Sequence, residues 1–378
     1  MDDVRVYVGL DVHKDTIAVA IADSERTGEV RFWGNIAHSR EAVERLVRKI
    51  VERHGTVEFT YEAGPCGYEI HRQLSSKGFV CHVIAPSHIP RRPGDRVKND
   101  HRDAMALARL ARAGELTDVW VPDPVHEAMR DVVRARYAAT KDLKQARQRI
   151  QSFLLKHSCR YEKKPWTQRH RIWLANRSFP HTAQQIAFQS HLNAMEQAMS
   201  RKGDLDEQIC ELLPNWSLGP LVEALQSLRG VAVTIAVSVV AEVGDMTRFH
   251  NPKQLMALLG LTPGEYSSGK KTRPRGITKA GNSTIRSLLY EAAWSYRQTP
   301  KVGAYMLQHM PKDLPQEAKD IAWKAQLRLH KRYRKLVARG KKSQVAITAV
   351  ARELVGFMWS IAQVIAVRQE TTEADVAA

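Results

Sequence analysis

Apolar and polar positions alternate at the start of the chain. Val4, Val6, Val8 and Leu10 are separated by Arg5, Tyr7 and Gly9, and the run ends on Asp11. A period of two is the pattern of a strand with one buried face. Runs at 16–22 and 28–34 predict two further strands, which with 4–10 make a three-strand meander, and a helical period predicts a helix over 40–53. A strand over 56–62, a helix over 67–77, a strand over 79–84 and a helix from about 100 follow. The strand Val57-Glu58-Phe59-Thr60-Tyr61-Glu62 ends on an acid, and Ala63-Gly64-Pro65 breaks it at once.

Three strands followed by alternating helix and strand, with acids closing the first and fourth strands, predict a ribonuclease-H-like (RuvC-like) α/β domain over 1–121. The pattern then changes. Residues 122–215 predict two long polar helices, Glu127–His157 and Thr182–Leu213, with little apolar surface between them. Such helices need each other or a second subunit, so a helical hairpin or coiled coil is expected. The insert joining them carries Arg160, Tyr161, Lys163, Lys164, Trp166, Arg169, Arg171 and Trp173. It reads equally as a nucleic-acid contact with stacking aromatics or as a turn whose tryptophans pack on the hairpin.

A mostly helical domain is expected over 216–365. Leu225-Gln226-Ser227-Leu228-Arg229-Gly230-Val231 leads into a small apolar helix at 232–243. That arrangement reads either as a helix-hairpin-helix element, whose turn could hold a backbone phosphate, or as a plain helix pair. A helix at 251–259 precedes a stretch dense in glycine, hydroxyls and cations, followed by an apolar helix with Ile285, Leu288, Leu289, Ala292 and Trp294. A basic helix over 316–339 is the last predicted element, and the acidic, alanine-rich end (366–378) is expected to be a disordered tail.

Charge narrows the function. The 378 residues carry a formal net charge of +18, which predicts a polyanionic partner, nucleic acid before any other. Cys66, Cys81, Cys159 and Cys210 have no zinc-type spacing and read as thiols in a reducing compartment. No signal peptide and no apolar run long enough to cross a membrane are read from the chain, so an intracellular, cytoplasmic protein is expected.

The chemistry concentrates in a few acids. Asp100 and Asp103 stand three apart at the start of a helical pattern and so share one face. Singly, Asp11, Glu62, Asp100 and Asp103 would each be ordinary surface acids or caps, Asp100 being a natural N-cap. Taken together, carboxylates from two strand ends and a helix start are the oxygen donors that Mg²⁺ requires, and two such ions can hold both the attacking and leaving oxygens of a phosphoryl transfer. Ser268 follows Glu265-Tyr266-Ser267 in a glycine-flanked segment with Lys270, Lys271, Arg273 and Arg275 nearby. Those cations could activate a serine toward phosphate, although Tyr266 and Ser267 are competing nucleophiles and a plain Ser-Gly loop fits the same residues.

Taken in order, these motifs resemble the DEDD transposases of the insertion-sequence-110 family. The matching segments are Gly9-Leu10-Asp11-Val12-His13-Lys14, Tyr61-Glu62-Ala63-Gly64, Lys98-Asn99-Asp100-His101-Arg102-Asp103-Ala104, Gly260-Leu261-Thr262-Pro263 with Tyr266-Ser267-Ser268-Gly269, and Lys279-Ala280-Gly281. The resemblance implies a RuvC-like domain whose acids, here Asp11, Glu62, Asp100 and Asp103, hold Mg²⁺, then a coiled-coil spacer, then a transposase domain with a nucleophilic serine, here Ser268. It further implies a phosphoserine link to DNA and a tetramer in which one subunit's serine completes another's acid cluster. It also implies a non-coding bridge RNA whose loops pair with donor and target DNA. Asn99 stands where many members have threonine, which hints at the subgroup of insertion sequence 1111. Backbone contacts to RNA and DNA are expected from Arg91, Arg92, Arg96, Lys98, Lys270, Lys271, Arg273, Arg275, Lys279, Lys331, Arg332 and Lys335.

Three other readings compete. A RuvC-like nuclease or resolvase would use water and tolerate loss of Ser268. An actin-like sugar kinase shares the strand order and could use Gly9-Leu10-Asp11 with Thr16, but a second glycine-rich loop is missing and the charge is unexplained. A non-catalytic nucleic-acid scaffold explains the charge but not the four acids.

Overall fold

The computed structural model describes residues 4–90, 99–265, 274–311 and 313–377. The chain divides into two compact units, Met1–Val121 and Pro122–Ala378. The first is a mixed α/β layer. Strands β1 (Val6–Val12), β2 (Thr16–Asp23) and β3 (Val30–Ala37) form the antiparallel meander, while β4 (Val57–Glu62) and β5 (Val80–Ile84) add to it in parallel. The order across the sheet is β3-β2-β1-β4-β5. Helices α1 (Arg40–His54) and α2 (Glu69–Ser75) make the two parallel crossovers, the connection a parallel pair needs.

Strand β2 is buried on both faces. Ile17, Val19 and Ile21 join Val6, Val8, Leu10, Phe59 and Tyr61 in one core with Leu46 and Ile50 of α1. Ala18, Ala20 and Ala22 face the other way, onto Ala104 and Ala108 of α3 (Asp100–Arg112). Gly9 lies under the same helix, and a Cβ there would sit 2.2 Å from the Ala104 carbonyl oxygen and 2.5 Å from the Ala108 nitrogen. Small side chains thus let α3 rest almost directly on the sheet backbone. Past α3 the chain returns to the edge of β5, where Ile84 bridges Asp118 and the Val119 amide donates to the Val83 carbonyl.

The second unit is helical apart from one short two-stranded sheet. Helices α4 (Pro124–Lys156) and α6 (Thr182–Leu212) form an antiparallel hairpin, as the ion pairs Arg136–Asp206 and Arg201–Asp142 require. At its far end Leu143, Ile150, Leu154, Phe188 and Leu192 are buried together. The connecting segment, with α5 (Gln168–Ala175), folds back onto them: Trp166, Trp173 and Phe179 pack against this cluster, and Arg147 and Arg177 lie over the two indole rings. The insert's tryptophans are therefore engaged in packing.

The hairpin's base belongs to a larger core. Met129, Val133 and Ile209 are buried with residues of α7 (Gly219–Leu225), α8 (Val233–Val243), α9 (Pro252–Leu258), α10 (Ser283–Ala293), α12 (Gln316–Ala338) and α13 (Ser343–Ala377). The short helix α11 (Ala304–His309) precedes α12. His126 and Arg130 both donate to the Ala241 carbonyl, one of the acceptors left open in the last turn of a helix.

Two expectations need correcting at α13. The tail expected to be disordered from 366 continues the helix to Ala377, and no glycine or proline follows Gly356 to interrupt it. The helix is also long and apolar enough to cross a membrane by length and composition, over Ser343–Gln369, contrary to the sequence reading. Half of its apolar window is buried inside the unit, where Ile347, Val350, Leu354, Val355, Met358 and Ile361 form the centre of the large core. This explains why it escaped detection: Val, Ile and Ala occur nearly all round it, so it lacks the polar face that marks a surface helix.

Candidate functional site

Strand register decides where the acids fall. Leu10 of β1 pairs in parallel with Tyr61 of β4, and both side chains enter the α1-side core. The next residues, Asp11 and Glu62, therefore share the opposite face, at the ends of neighbouring strands. That is the face on which α3 lies, and α3 begins there with Asp100 and Asp103 in its first turn. The helix N-terminus favours negative charge by virtue of its unpaired amides. Its cap is Asn99, whose side-chain oxygen accepts from the Arg102 amide at 2.8 Å. Asp100, the cap candidate of the sequence reading, thus keeps its carboxylate for other work.

His13, just past β1, joins the acids. Its Nε2 lies 3.2 Å from Asp11 Oδ2 and 3.4 Å from Asp100 Oδ1. Asp11, His13 and Asp100 each present a donor atom, all within 4.8 Å of one another. His13 is held from behind, since its amide donates to the Thr16 carbonyl (2.9 Å) and its carbonyl accepts from His38 Nδ1 (2.8 Å). The sequence reading quoted His13 within the first motif without giving it a role. Its position two residues after Asp11, past the strand end, was the available signal.

Asp11 is the most enclosed of these groups, its side chain 14% exposed against 61% for Asp100. Burial raises its pKa above the ordinary carboxylate value, His13 lowers it, and the charges of Asp103 and Asp100 raise it again. Asp103 is thus electrostatically coupled to Asp11. The charges of Asp103 and Asp100 disfavour the charge on Asp11, and a divalent cation would relieve that conflict. The donor set, oxygens with one imidazole nitrogen, fits a divalent metal ion.

In the second unit the two halves of the C-terminal motif meet. Gly260 and Gly281 both have positive φ (62° and 70°), and a Cβ on either would lie 2.0 Å from a carbonyl oxygen, of Ala280 and of Leu258 respectively. The Lys279 amide donates to the Gly260 carbonyl and the Thr278 amide to that of Thr262. Arg286 donates to the carbonyls of Leu259, Ala280 and Gly281. From this clasp β6 (Pro263–Glu265) and β7 (Pro274–Ile277) run as an antiparallel pair. Ser268, Tyr266, Ser267, Lys270, Lys271 and Arg273 lie between them, outside the described residues, as do Arg91, Arg92, Arg96 and Lys98. Arg275 and Lys279 are exposed. On α12 Lys331 and Lys335 are exposed, whereas Arg332 and Arg328 pair with Glu353 at 3.1 and 2.8 Å.

Comparison with known proteins agrees with these motifs. A model of DEDD transposases of IS110 type, described as "Transposase", matches residues 8–158, and the model "Transposase IS116/IS110/IS902 family" matches residues 222–306. A "Putative transposase y4qE" of Sinorhizobium fredii is 50% identical over 95% of this chain and 89% of its own length. The "Transposase for insertion sequence element IS1533" of Leptospira borgpetersenii is 31% identical over 89% of this chain and 98% of its own. The transposase of element IS1111A from Coxiella burnetii is 25% identical over 78% of each. A solved structure of Thermus thermophilus RuvC aligns with 30% of this chain and 99% of its own at 14% identity, but its TM-score of 0.21 is too low to bear on the fold. On the extent and identity of these sequence matches, the chain belongs to the IS110 family of insertion-sequence transposases.

Proposed function

We propose that the chain cuts and rejoins DNA through a covalent phosphoserine, with Asp11, Glu62, Asp100 and Asp103 holding Mg²⁺ and Ser268 as the nucleophile. The observation that carries the reading is the delivery of acids from two adjacent strand ends and one helix start to a single face of the sheet. When bound, divalent cations there would offset the charge on the transferring phosphoryl group and on its attacking and leaving oxygens.

The chain's own residues supply position and proton balance. Asp11, near the end of β1, is more enclosed than Asp100 and His13, and the Asn99 cap fixes the first turn of α3, which carries Asp100 and Asp103. The Ser268 hydroxyl attacks the scissile phosphorus and gives up its proton, and the displaced deoxyribose oxygen takes one up. A second deoxyribose hydroxyl then displaces the serine. Each step exchanges one P–O bond for another, so no nucleoside triphosphate is consumed. Lys270, Lys271, Arg273, Arg275 and Lys279 flank the serine and neutralise the phosphate approaching it.

The family resemblance and the +18 charge support the remaining parts of the proposal. A bridge RNA pairs with donor and target DNA, and four subunits assemble so that one subunit's serine serves another's acids. Lys98, Arg91, Arg92, Arg96, Lys331 and Lys335 contact nucleic-acid backbone, giving binding that weakens steeply with salt.

A denaturing-gel assay for a protein–DNA adduct tests the chemistry. Protein with its co-purifying RNA, junction DNA and Mg²⁺ is expected to give an adduct that both Ser268→Ala and Asp11→Ala lose. Cleavage that persists in Ser268→Ala without any adduct would instead identify a hydrolytic nuclease.

A further inference from the structure

We propose that His13 is itself a ligand of this metal site, and that it tunes the site toward a first-row transition cation such as Mn²⁺ over Mg²⁺. The inference rests on the reading of the acids as a metal site and extends it to an imidazole and to the class of cation. Donors bonded at about 2.1 Å to an octahedral ion lie about 3.0 Å from their neighbours and about 4.2 Å from the donor opposite. His13 Nε2 stands 3.2 and 3.4 Å from Asp11 Oδ2 and Asp100 Oδ1, and the three donor atoms fall within 4.8 Å of one another. One cation can therefore take all three with small side-chain adjustments.

The ring nitrogen Nε2 of His13 is engaged with Asp11 and Asp100, the two acids with which it would share a cation. The main-chain amide and carbonyl are already spent on Thr16 and His38, and the side chain is 51% exposed, which leaves room for an entering hydrated ion and for substrate oxygens. An imidazole nitrogen is a softer donor than a carboxylate oxygen. It adds little to Mg²⁺ binding, because that ion favours oxygen, and strengthens the hold on first-row transition cations.

The test reads metal binding in the full-length protein rather than turnover. Apo protein is titrated with Mn²⁺ and followed by electron paramagnetic resonance, with Mg²⁺ as competitor, and the spin-echo signal is examined for nitrogen modulation. Wild type is expected to show nitrogen coupling and to prefer Mn²⁺ by about tenfold or more. His13→Ala should abolish the coupling and most of the preference, and His13→Asp should bind both ions with no nitrogen coupling and with the preference reduced. Asp11→Asn should weaken binding of both ions. Mn²⁺ bound without nitrogen coupling, and unchanged in His13→Ala, would overturn the ligand assignment while leaving the acid site intact. Binding insensitive to Asp11→Asn would overturn the acid site and this inference with it.

Discussion

On one face of the N-terminal sheet, β2 presents Ile17, Val19 and Ile21 to a core shared with Leu10, Phe59, Tyr61 and helix α1. On the other, the same strand presents Ala18, Ala20 and Ala22, and β1 presents Gly9, to α3. The first face buries bulk and supplies stability through apolar area. The second buries little per residue, but it fixes the distance between backbone and helix closely enough to bring Asp100 beside Asp11 and His13. Large side chains here hold the layer together, and small ones place the chemistry.

That contrast can be broken from either side. The units are distinct, so each effect is best read locally, by hydrogen exchange at β1 and β4 amides. Truncating the bulky face comes first: Phe59→Ala should cost about 3–5 kcal/mol, lowering protection across the sheet while leaving the active-site geometry of surviving folded molecules unchanged. Crowding the small face should do the reverse. Gly9→Ala puts a methyl against the α3 backbone, costing about 1–3 kcal/mol. The displaced first turn of α3 should lower strand cleavage by about a hundredfold. Equal losses of stability and activity in the two variants would dissolve the distinction.

Smaller changes sharpen it. Asn99→Ala removes the cap and should cost about 1 kcal/mol, seen as fraying of α3 amides and weaker metal binding. Least in size is the pH dependence of Asp11. Its pKa is raised in the folded chain by burial and by the neighbouring acids, so the folded state holds this proton more tightly than the unfolded state does. Its contribution to stability is present below the unfolded carboxylate value and is lost as pH rises through the raised one. Metal-free protein should therefore lose stability over that interval, and Asp11→Asn should remove the slope; an identical slope in both would assign it to other groups.

The alternation of Val4 to Leu10 and of Val57 to Glu62 was legible because each strand has one aliphatic face, and the acid positions followed from where those runs stop. Asp11 and Glu62 could thus be placed near strand ends, and the helical spacing after 100 placed Asp100 and Asp103 in the first turn of α3. The cap was assigned one residue late, to Asp100, because Asn99 and Asp100 both satisfy the local preference and only the fold shows which amide is answered. His13 carried only the weak signal of its place two residues after Asp11, because its approach to Asp100 depends on a helix that starts far along the chain. Helix α13 was missed because apolar residues also occupy its less buried sides, which blurs the helical period that its buried positions keep. The clasp of Gly260 against Ala280 gives a physical reason for the glycines in two motif segments, which the sequence alone did not supply.

Helix α13 also bears on the order in which the molecule can be finished. A ribosome delivers the α/β layer first, and every strand and helix of that layer has been made by Val121. The second unit begins at Pro122, yet the centre of its core waits for Ile347 through Ile361. Until that helix emerges, Met129, Val133, Val237 and Leu255 have no complete partner surface, so the nascent second unit exposes an apolar seam that holdase chaperones would recognise. A product interrupted before residue 343 would carry Asp11, Glu62, Asp100, Asp103 and Ser268, but not the helix around which the second unit closes.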